Sequence, residues 1–420
     1  MKSLSDLEKK INSELTTKVK KSTINHDQLF LNINNDDLIE VLLFLKTNEE
    51  SKFRQLIDIT AVDYPENDKR FKLVYLLLSH EINKRIHRMD LNECPYPPSP
   101  NVLAAIKNIS PTLNRYPDGT CPMLTPLIAK SLGVDEKTIT WGGGSTQLLT
   151  SIAQISVAPD QDLVTPQLVW KRFEGIYKIV DANVISVPNK SDGAINVKAM
   201  IDAIGNDTRL LICVTPNNPT GLMLTESEIR HISENTPENV LLFMDEAYHE
   251  FAIHAGGPDA LEILKDRKGP WVVTRTFSKA YALAGLRLGY AICSSIEIVN
   301  AIRLVASTFS LSGIAEAAGI AAWNEPEYTK FILDQNEIER TRIINGLRDM
   351  GYNPMDSVTN FVSCDMKHPA IDIVKRMRER NVRISTVGGS EFENFIRLSM
   401  GTPEDTDAFL ENLRQVLVDL

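Results

Sequence analysis

Three strongly apolar runs in the middle of the chain constrain the fold more than any other feature. They are LLICV (210–214), VLLFM (240–244) and WVVTRTF (271–277), and helical patterns separate them. Continuous apolar runs are typical of strands buried in a parallel sheet whose two faces are covered by helices. We therefore expect an α/β fold with a mostly parallel sheet after about residue 87. From about residue 326 the pattern predicts a smaller domain with the order helix–strand–strand–helix.

Composition narrows the classes of function. With 420 residues, 43% of them hydrophobic and 24% charged, the chain is long enough for two or three ordinary globular domains. Its net charge of −10 favours neither nucleic acid nor an anionic membrane as a partner. The five cysteines are far apart and form no C-x-x-C pair, which fits a reducing cytoplasm and argues against disulfides or a zinc site. We expect no transmembrane helix, because no apolar stretch reaches ~18 residues.

The first 86 residues have a different pattern. Leu7, Ile11, Leu15 and Val19 recur every four residues, which predicts a helix. The rest of the segment predicts one further helix and three strands, namely DQLFLNIN (strand), DDLIEVLLFLK (helix), and KFRQLIDITAVDY and KRFKLVYLLLS (two strands joined by the turn PENDK). We therefore interpret this segment as a small α+β module.

The stretch FRQLIDITAVDYPENDKRFKLVYLLLSHEINKRI (53–86) resembles the N-terminal part of the thirty-kilodalton subunit of NADH-quinone oxidoreductase, the respiratory NADH dehydrogenase. The resemblance stops near Ile86, so residues 1–86 are interpreted as a truncated module that precedes an unrelated enzyme. The module carries no cofactor motif. A structural, docking or accidental role and a contact with a respiratory complex both stay open.

Unusual polar residues follow the three apolar runs. TPNNPTG (215–221) comes after the first and DEAYHEF (245–251) after the second, and Ser278 and Lys279 come at the end of the third. In open α/β sheets, sites gather at the carboxyl ends of the strands, so these residues are expected to converge. A lysine amine in such a site can form a Schiff base with a carbonyl substrate or with pyridoxal phosphate.

A pyridoxal phosphate site needs four kinds of group. They are a carboxylate facing the ring nitrogen, donors to the ring oxygen, an aromatic face over the ring, and a cradle of amides, hydroxyls and a cation for the phosphate. The sequence has a candidate for every one: Asp245 for the nitrogen, Asn218 and Tyr248 for the oxygen, Trp170 for the ring face, and Ser145, Thr146, Thr276, Ser278 and Arg287 for the phosphate.

Each of these features alone has a simpler explanation. The glycine run at 142–144 is typical of a flexible turn, and no Gly-Lys-Ser/Thr follows to make a nucleotide-binding loop. Asp245, Glu246, His249 and Glu250 are potential metal ligands, but acidic residues are also favoured at a solvated helix start, so we expect no metal. The prediction rests on the order and spacing of the whole set.

The motifs LNECPYP, RYPDG, GGGST, PNNPTG, DEAYHEF, RTFSKAYALAGLRLGY and FIRLSMGT carry a second resemblance. The segment from about residue 88 to 418 resembles fold-type I pyridoxal-phosphate enzymes of the class I/II aminotransferases, in particular the histidinol-phosphate branch. This resemblance implies a seven-stranded, mostly parallel large domain at 113–325 and a smaller α+β domain formed by 87–112 and 326–420. It also implies transfer of an amino group to a 2-oxo acid such as 2-oxoglutarate.

The resemblance also implies roles for single residues. Lys279 matches the lysine that binds the cofactor and later carries the proton, and the cofactor groups named above keep their assignments. Arg397 matches the arginine that holds the substrate carboxylate with a bidentate fork, and Asn218 and Tyr96 match substrate contacts. Tyr116 matches a tyrosine that reaches the cofactor phosphate of the neighbouring subunit, which implies a homodimer with shared active sites.

Two positions depart from the family pattern. Where histidinol-phosphate enzymes have an arginine for the substrate phosphate, this chain has Ser385, with Arg383 two residues earlier. Residues two apart in a strand share a face, so we expect that Arg383 could hold the substrate phosphate in place of the missing arginine. Another amino acid is then a plausible substrate. The respiratory-like module also occupies the place of the family's N-terminal arm, and it could leave the site more open or block part of it.

Two other functions remain compatible with the motifs. One is a pyridoxal-phosphate-dependent decarboxylase of the threonine-phosphate type, which would release CO₂ rather than a keto acid. The other is an interaction protein whose first 86 residues bind a respiratory partner.

Overall fold

The structure is a computed structural model of the 420-residue chain. It describes residues 4–25, 28–48, 55–63, 71–78, 86–418 and 420. The chain divides into two compact units, Met1–Ile86 and His87–Leu420, and each is described by itself. None of the described helices is long and apolar enough to cross a membrane.

The described residues of the first unit form two α-helices and two antiparallel strand pairs. In chain order its elements are α1 (Leu4–Glu14), β1 (Val19–Asn25), β2 (Gln28–Ile33), α2 (Leu38–Thr47), β3 (Gln55–Asp63) and β4 (Phe71–Leu78). Strand β1 pairs with β2, and β3 pairs with β4. The predicted turn PENDK lies outside the described residues.

The predicted first helix is too long by one turn. Leu7, Ile11 and Leu15 are buried as expected, but α1 ends at Glu14, and Val19 instead begins β1 opposite Ile33. Val19 packs against the same apolar cluster from the strand. Its four-residue spacing therefore reflected a shared core and not a continuous helix, and its β-branched side chain suits the strand.

The second unit alternates strands and helices. Its strands are β5 (His87–Arg88), β6 (Ile139–Gly143), β7 (Asp162–Pro166), β8 (Asn183–Val187), β9 (Thr208–Val214), β10 (Leu241–Asp245), β11 (Trp271–Thr276), β12 (Leu288–Cys293), β13 (Phe361–Asp365), β14 (Val382–Arg383), β15 (Ser385–Thr386) and β16 (Phe395–Ser399). Its helices are α3 (Pro100–Ile109), α4 (Thr125–Leu132), α5 (Ser145–Ser156), α6 (Arg172–Val180), α7 (Val197–Asp202), α8 (Glu226–Asn235), α9 (His249–His254), α10 (Ala260–Leu264), α11 (Ile296–Val305), α12 (Gly313–Trp323), α13 (Pro326–Asp349), α14 (Ala370–Glu379) and α15 (Pro403–Val418).

Seven strands form the large sheet, in the order β6-β12-β11-β10-β9-β7-β8. Strand β12 runs antiparallel to both of its neighbours, and the remaining pairings are parallel. The three apolar runs that predicted the fold lie in β9, β10 and β11, next to one another near the middle of this sheet. The large, mostly parallel sheet expected from the sequence is thus confirmed.

The sheet is buried on both faces, as alternating residues of β9 show. Leu211 and Cys213 belong to one apolar cluster, whereas Leu210, Ile212 and Val214 belong to another. Side chains of a strand alternate between faces, so the two clusters are the two layers that the helices cover. This burial explains why the run carries no polar residue until the strand ends.

The C-terminal region is more complex than the predicted helix–strand–strand–helix. It forms a three-stranded antiparallel sheet in the order β13-β16-β15, and helix α14 lies between β13 and β15 in the chain. Ala370, Ile373 and Met377 are buried at the spacing of a helix, a signal that the sequence did contain. The proposed large and small domain limits at 113 and 326 stay predictions.

Candidate active site

The predicted residues gather where the large sheet presents its carboxyl ends. Strand β10 ends at Asp245, which lies level with Thr274 of β11 on one side and Val214 of β9 on the other. Lys279 follows three residues after the end of β11, and Asn218 follows four residues after β9. Parallel strands that end together thus place a carboxylate, a lysine and an amide at one edge.

Glycines allow a cation to lie against the start of helix α5. A Cβ on Gly144 (φ +77°) would lie 2.2 Å from Nη2 of Arg287, and one on Gly289 would lie 2.6 Å from the backbone nitrogen of Ser145. Arg287 itself has a left-handed backbone (φ +56°) and donates from Nη1 to Ala284 O at 3.0 Å. The bare backbone, the helix N-terminus and the guanidinium together form a cradle for a phosphate.

Two further predicted residues share this cradle. Thr146 and Trp170 line one open cavity of about 480 Å³ together with Arg287. Arg172, which the sequence did not single out, lines the same cavity. Thr276 and Ser278 are both buried, and the Thr276 hydroxyl donates to Ser278 Oγ at 2.9 Å.

Asp245 is a buried carboxylate whose hydrogen bonds come from uncharged groups. The Thr274 hydroxyl donates to its Oδ1 at 3.1 Å, and the backbone of Ala247 donates as well. Burial raises the pKa of Asp245 to about 6. A carboxylate in this position is suited to a cationic ring N–H, which would keep it ionised. The residues present therefore fit the ring nitrogen of pyridoxal phosphate.

The amine of Lys279 points into the second unit's interior. Its Nζ donates to the backbone oxygen of Asn92 at 2.8 Å and lies 5.8 Å from the centre of the Tyr248 ring. Burial, and then the nearby Arg397, lower the pKa of Lys279 to about 8. An amine with this pKa is partly neutral near pH 7, as a nucleophile and base requires.

Tyr248, Asn218 and Arg397 form a continuous polar chain beside this amine. Asn218 Nδ2 faces the Tyr248 hydroxyl at 3.5 Å, and Arg397 Nη1 donates to Asn218 Oδ1 at 2.9 Å. Burial raises the pKa of Tyr248 to about 12, so the phenol stays protonated. The Nε hydrogen of Arg397 is buried and has no partner. This free donor fits a substrate carboxylate.

The two predicted tyrosines outside this chain differ in burial. Tyr96 lines a small, partly enclosed cavity of about 10 Å³ together with Lys279, and its ring meets the edge of Phe331 with centroids 5.3 Å apart. Tyr116 is 80% exposed and stacks on Phe309 at 4.2 Å. Tyr96 is therefore placed beside the lysine, whereas Tyr116 lies exposed on the surface of this chain.

Ser385 lies directly opposite Arg397 in the β15–β16 pairing. Its hydroxyl donates to Asp90 O at 2.8 Å, and Arg397 Nη2 donates to the same oxygen at 3.1 Å. Arg383 and Ser385 alternate with the buried Val382 and Ile384, and the expectation that Arg383 can compensate for Ser385 stays a prediction. The strand is interrupted at Ile384, and Arg383 belongs to β14, which pairs with β5 in a different sheet.

Four residues form a largely buried ionic cluster: Glu246 and His249 of DEAYHEF, Asp259 just before α10, and Arg275 of β11. Glu246, His249 and Asp259 bring ligand-type atoms within 4.8 Å of one another. Arg275 donates from Nε and Nη2 to Glu246 at 2.9 and 2.7 Å and from Nη2 to Asp259 at 2.6 Å. A guanidinium thus already supplies the positive charge that these carboxylates need.

Sequence reasoning missed Asn92, Asn360 and Ser399. The backbone oxygen of Asn92 accepts from Lys279 and from Asn360 Nδ2, and its backbone nitrogen donates to Ser399 Oγ. Asn92 lies in the motif LNECPYP, and Ser399 lies in FIRLSMGT. Both motifs were recognised, but nothing in the sequence indicated that they meet at the lysine.

This fold and this set of groups define a pyridoxal-phosphate-dependent transferase of fold type I. Comparison with known proteins gives the family: residues 85–413 match aminotransferase class I and II, and the chain belongs to this family of enzymes. It is an aminotransferase, and the comparisons do not favour the decarboxylase alternative.

Several relatives are histidinol-phosphate aminotransferases. The chain is 32% identical over 341 residues to histidinol-phosphate aminotransferase 2 of Methylococcus capsulatus, covering 80% of this chain and 91% of that protein. It is 31% identical to the enzyme of Staphylococcus carnosus, with 78% and 90% covered. The crystal structure of histidinol-phosphate aminotransferase from Sinorhizobium meliloti in complex with pyridoxal-5'-phosphate has a TM-score of 0.75 and 29% identity over 80% of this chain and 92% of that one.

The comparison with known families also confirms the resemblance of the N-terminal segment to a respiratory subunit. Residues 31–114 match the 30 kDa subunit of respiratory-chain NADH dehydrogenase. This match extends past Ile86, where the sequence resemblance had been expected to stop, and overlaps the aminotransferase match. In the structure, residues 87–114 belong to the second unit, where β5 pairs with β14.

Proposed function

We propose that this chain transfers an amino group between an α-amino acid and a 2-oxo acid such as 2-oxoglutarate, with Lys279 as the residue that binds pyridoxal phosphate. The carrying observation is the unbroken set of hydrogen bonds that links Lys279, Asn92, Tyr248, Asn218 and Arg397. It joins a nucleophilic amine, a phenol, an amide and a carboxylate-binding guanidinium in one connected network.

Each side chain then has a distinct role. When bound, pyridoxal phosphate would supply an electron sink for negative charge at the substrate α-carbon. Asp245 keeps the proton on the ring nitrogen, and Tyr248 with Asn218 holds the ring oxygen. The cradle of Ser145, Thr146, Thr276, Ser278 and Arg287 holds the phosphate, and Trp170 covers the ring.

Lys279 also moves the proton. Its buried amine has a pKa of about 8, which leaves a neutral fraction at physiological pH that could accept the α-proton of a substrate. Arg397 fixes the carboxylate through its free Nε hydrogen. A substrate carboxylate held there would limit the orientations of the α-carbon beside Lys279.

The lining of the cavity next to Lys279 bears on the substrate. Apart from Lys279 its lining side chains are neutral, and they include Cys94, Tyr96, Asn336, Asn360 and Met400. The relatives act, by name, on histidinol phosphate. In this chain the Ser385 hydroxyl already donates to Asp90 O. A dianionic phosphate at this position would therefore contact the guanidinium of Arg397 and no second cation of the described strands β13, β15 and β16. We therefore propose a donor with an uncharged or hydrogen-bonding side chain.

Assembly and location form part of the same proposal. The exposed Tyr116 supports a homodimer in which this phenol reaches the cofactor phosphate of the partner subunit. A biosynthetic enzyme of this kind would act in the cytoplasm. Contact of residues 1–86 with a respiratory complex is an additional prediction.

The test is a donor screen with purified protein and added pyridoxal phosphate. α-Amino acids with neutral and acidic side chains and histidinol phosphate are each paired with 2-oxoglutarate or pyruvate, and keto acid and CO₂ are both measured. We expect keto acid from one or more α-amino acids, with histidinol phosphate at least about tenfold slower because a lost charge-assisted hydrogen bond costs that much.

Two variants and two outcomes decide the result. Lys279→Ala should abolish turnover, whereas Lys198→Ala, which removes an 82% exposed lysine, should leave it unchanged. Activity confined to histidinol phosphate would overturn the substrate proposal, and CO₂ without keto acid would overturn transamination.

A further inference from the structure

Asn92 occupies a constrained position between β5 and α3. Its side chain is 2% exposed, and its backbone is left-handed with φ +53°. Asparagine is one of the few residues other than glycine that adopts this conformation readily. The loop therefore holds an amide deep in the site at a fixed orientation.

The hydrogen bonds of Ser399 determine which way this amide points. Ser399 Oγ accepts from the backbone nitrogen of Asn92 at 2.7 Å, and it donates its own proton to Asn92 Oδ1 at 3.0 Å. With Oδ1 turned to Ser399, Asn92 Nδ2 faces the Tyr248 hydroxyl oxygen at 3.0 Å. An amide nitrogen can only donate, so Tyr248 accepts this bond.

The side-chain amide of Asn218 also has a fixed orientation, with its nitrogen toward the Tyr248 hydroxyl. Arg397 cannot accept a hydrogen bond, so Asn218 Oδ1 must be the atom that faces its guanidinium. Asn218 Nδ2 is thereby turned to the Tyr248 oxygen at 3.5 Å. Two donors now face one hydroxyl oxygen, which has two lone pairs and one proton.

We infer that Asn92 is a positioning residue that directs the Tyr248 hydroxyl proton away from both amides and toward the cofactor's ring oxygen. This inference rests on the proposed function, because it assigns a direction to the donor that the proposal places at that oxygen. The raised pKa of Tyr248 is consistent with it, since the phenol keeps its proton in the working pH range.

The backbone of Asn92 has a separate task. Its carbonyl oxygen accepts from Lys279 Nζ, and this contact does not depend on the side chain. Asn92→Gly keeps the carbonyl and tolerates the left-handed backbone, so it removes only the amide. The variant isolates the effect on Tyr248 from the effect on the lysine.

The experiment is a pH titration of the visible absorbance band of the protein loaded with pyridoxal phosphate. A hydrogen bond donated to the ionised ring oxygen lowers the pH at which the bound cofactor loses its proton. Tyr248→Phe should raise that midpoint by about one to two pH units, the effect of one hydrogen bond to a charged oxygen. Asn92→Gly should raise it by roughly half as much.

The double variant Asn92→Gly/Tyr248→Phe is the decisive comparison. If Asn92 acts through Tyr248, the double variant shows the same midpoint as Tyr248→Phe alone. Additive shifts, or no shift in Asn92→Gly, would overturn the inference. Asn381→Gly, which also replaces a left-handed asparagine (φ +61°), is the matched control and should leave the midpoint unchanged.

The titration separates this inference from the proposed function. If the unaltered protein shows no visible band with pyridoxal phosphate, the proposed function fails, and Asn92 then has no cofactor to act on. If the band is present and titrates normally in Asn92→Gly, only the inference fails.

Discussion

The two units of the chain differ most in what they bury. In the described part of the first unit, the buried residues are all apolar: Leu7, Ile11, Leu15, Val41 and Leu45. The second unit buries four apolar clusters and also the polar residues Asn92, Asn218, Asp245 and Ser399. Burying polar groups costs free energy unless they are paired, so such a set marks the unit that carries a function.

The comparison with relatives points the same way. The curated aminotransferases match about four-fifths of this chain but some nine-tenths of their own length. The second unit therefore corresponds to almost a whole aminotransferase, and the first unit is additional to it. The predictions that follow place large effects in the second unit and a minimal one in the first.

The largest effect among these is expected at Asp245. Asp245→Asn removes the charge that keeps the ring nitrogen protonated, and kcat/KM should fall by about 10²–10³, as for other preorganised electrostatic groups. Thermal stability should not fall, because a buried carboxylate without a cationic partner is replaced by a neutral amide. Asp202→Asn, at an exposed salt bridge, is the control. A loss of less than tenfold would argue against the assignment.

The second-largest effect on kcat/KM is expected at Arg397. Arg397→Lys keeps the positive charge but loses the planar fork, so kcat/KM for the amino acid should fall by about 10–10², mainly through KM. Binding of pyridoxal phosphate, followed by its absorbance, should be unchanged. Arg348→Lys on the surface serves for comparison. Weaker cofactor binding with an unchanged KM would show that Arg397 does not hold the substrate.

The rate at which the protein binds pyridoxal phosphate should change about tenfold with pH. Since burial lowers the pKa of Lys279 to about 8, the amine is charged below this pH and neutral above it. The rate at which cofactor-free protein takes up pyridoxal phosphate should thus rise about tenfold from pH 7 to pH 9 and then level off. Stopped-flow absorbance measures it, and a rate still climbing at pH 10 would indicate an ordinary lysine.

Removal of residues 1–84 should have the smallest effect. The aminotransferase match begins at residue 85, and the buried polar groups named above all follow it. We expect kcat/KM to stay within about twofold of the full chain, since independent units of a chain function separately. Loss of cofactor binding in this variant would mean that the module completes the site, in place of the family's N-terminal arm.

Much of the large sheet could be predicted from the sequence because its signals are local. The runs in β9, β10 and β11 are rich in apolar residues and buried throughout, and each ends in an unusual polar motif. The cofactor groups were named from those motifs, and the structure brings Asp245, Tyr248, Lys279 and Asn218 to one edge. Their roles remain predictions.

The remaining features depend on contacts between distant parts of the chain. Asn92 reaches Tyr248 and Ser399 across 156 and 307 residues, and no periodic pattern encodes such a meeting. Val19 was wrongly placed in a helix because its spacing matched, although it reaches the same core from a strand. The division of residues 382–386 into β14 and β15, which pair with different strands, also had no clear sequence signal, because the interruption is a single residue.

The central claim is that Lys279 is the amine that binds pyridoxal phosphate, and reductive trapping tests it most directly. Purified protein is loaded with the cofactor, treated with sodium borohydride, digested and analysed by mass spectrometry. The account predicts the phosphopyridoxyl label on the peptide that contains Lys279, and no label in Lys279→Ala treated in the same way. A label on another lysine, or an unlabelled protein that still transaminates, would contradict it.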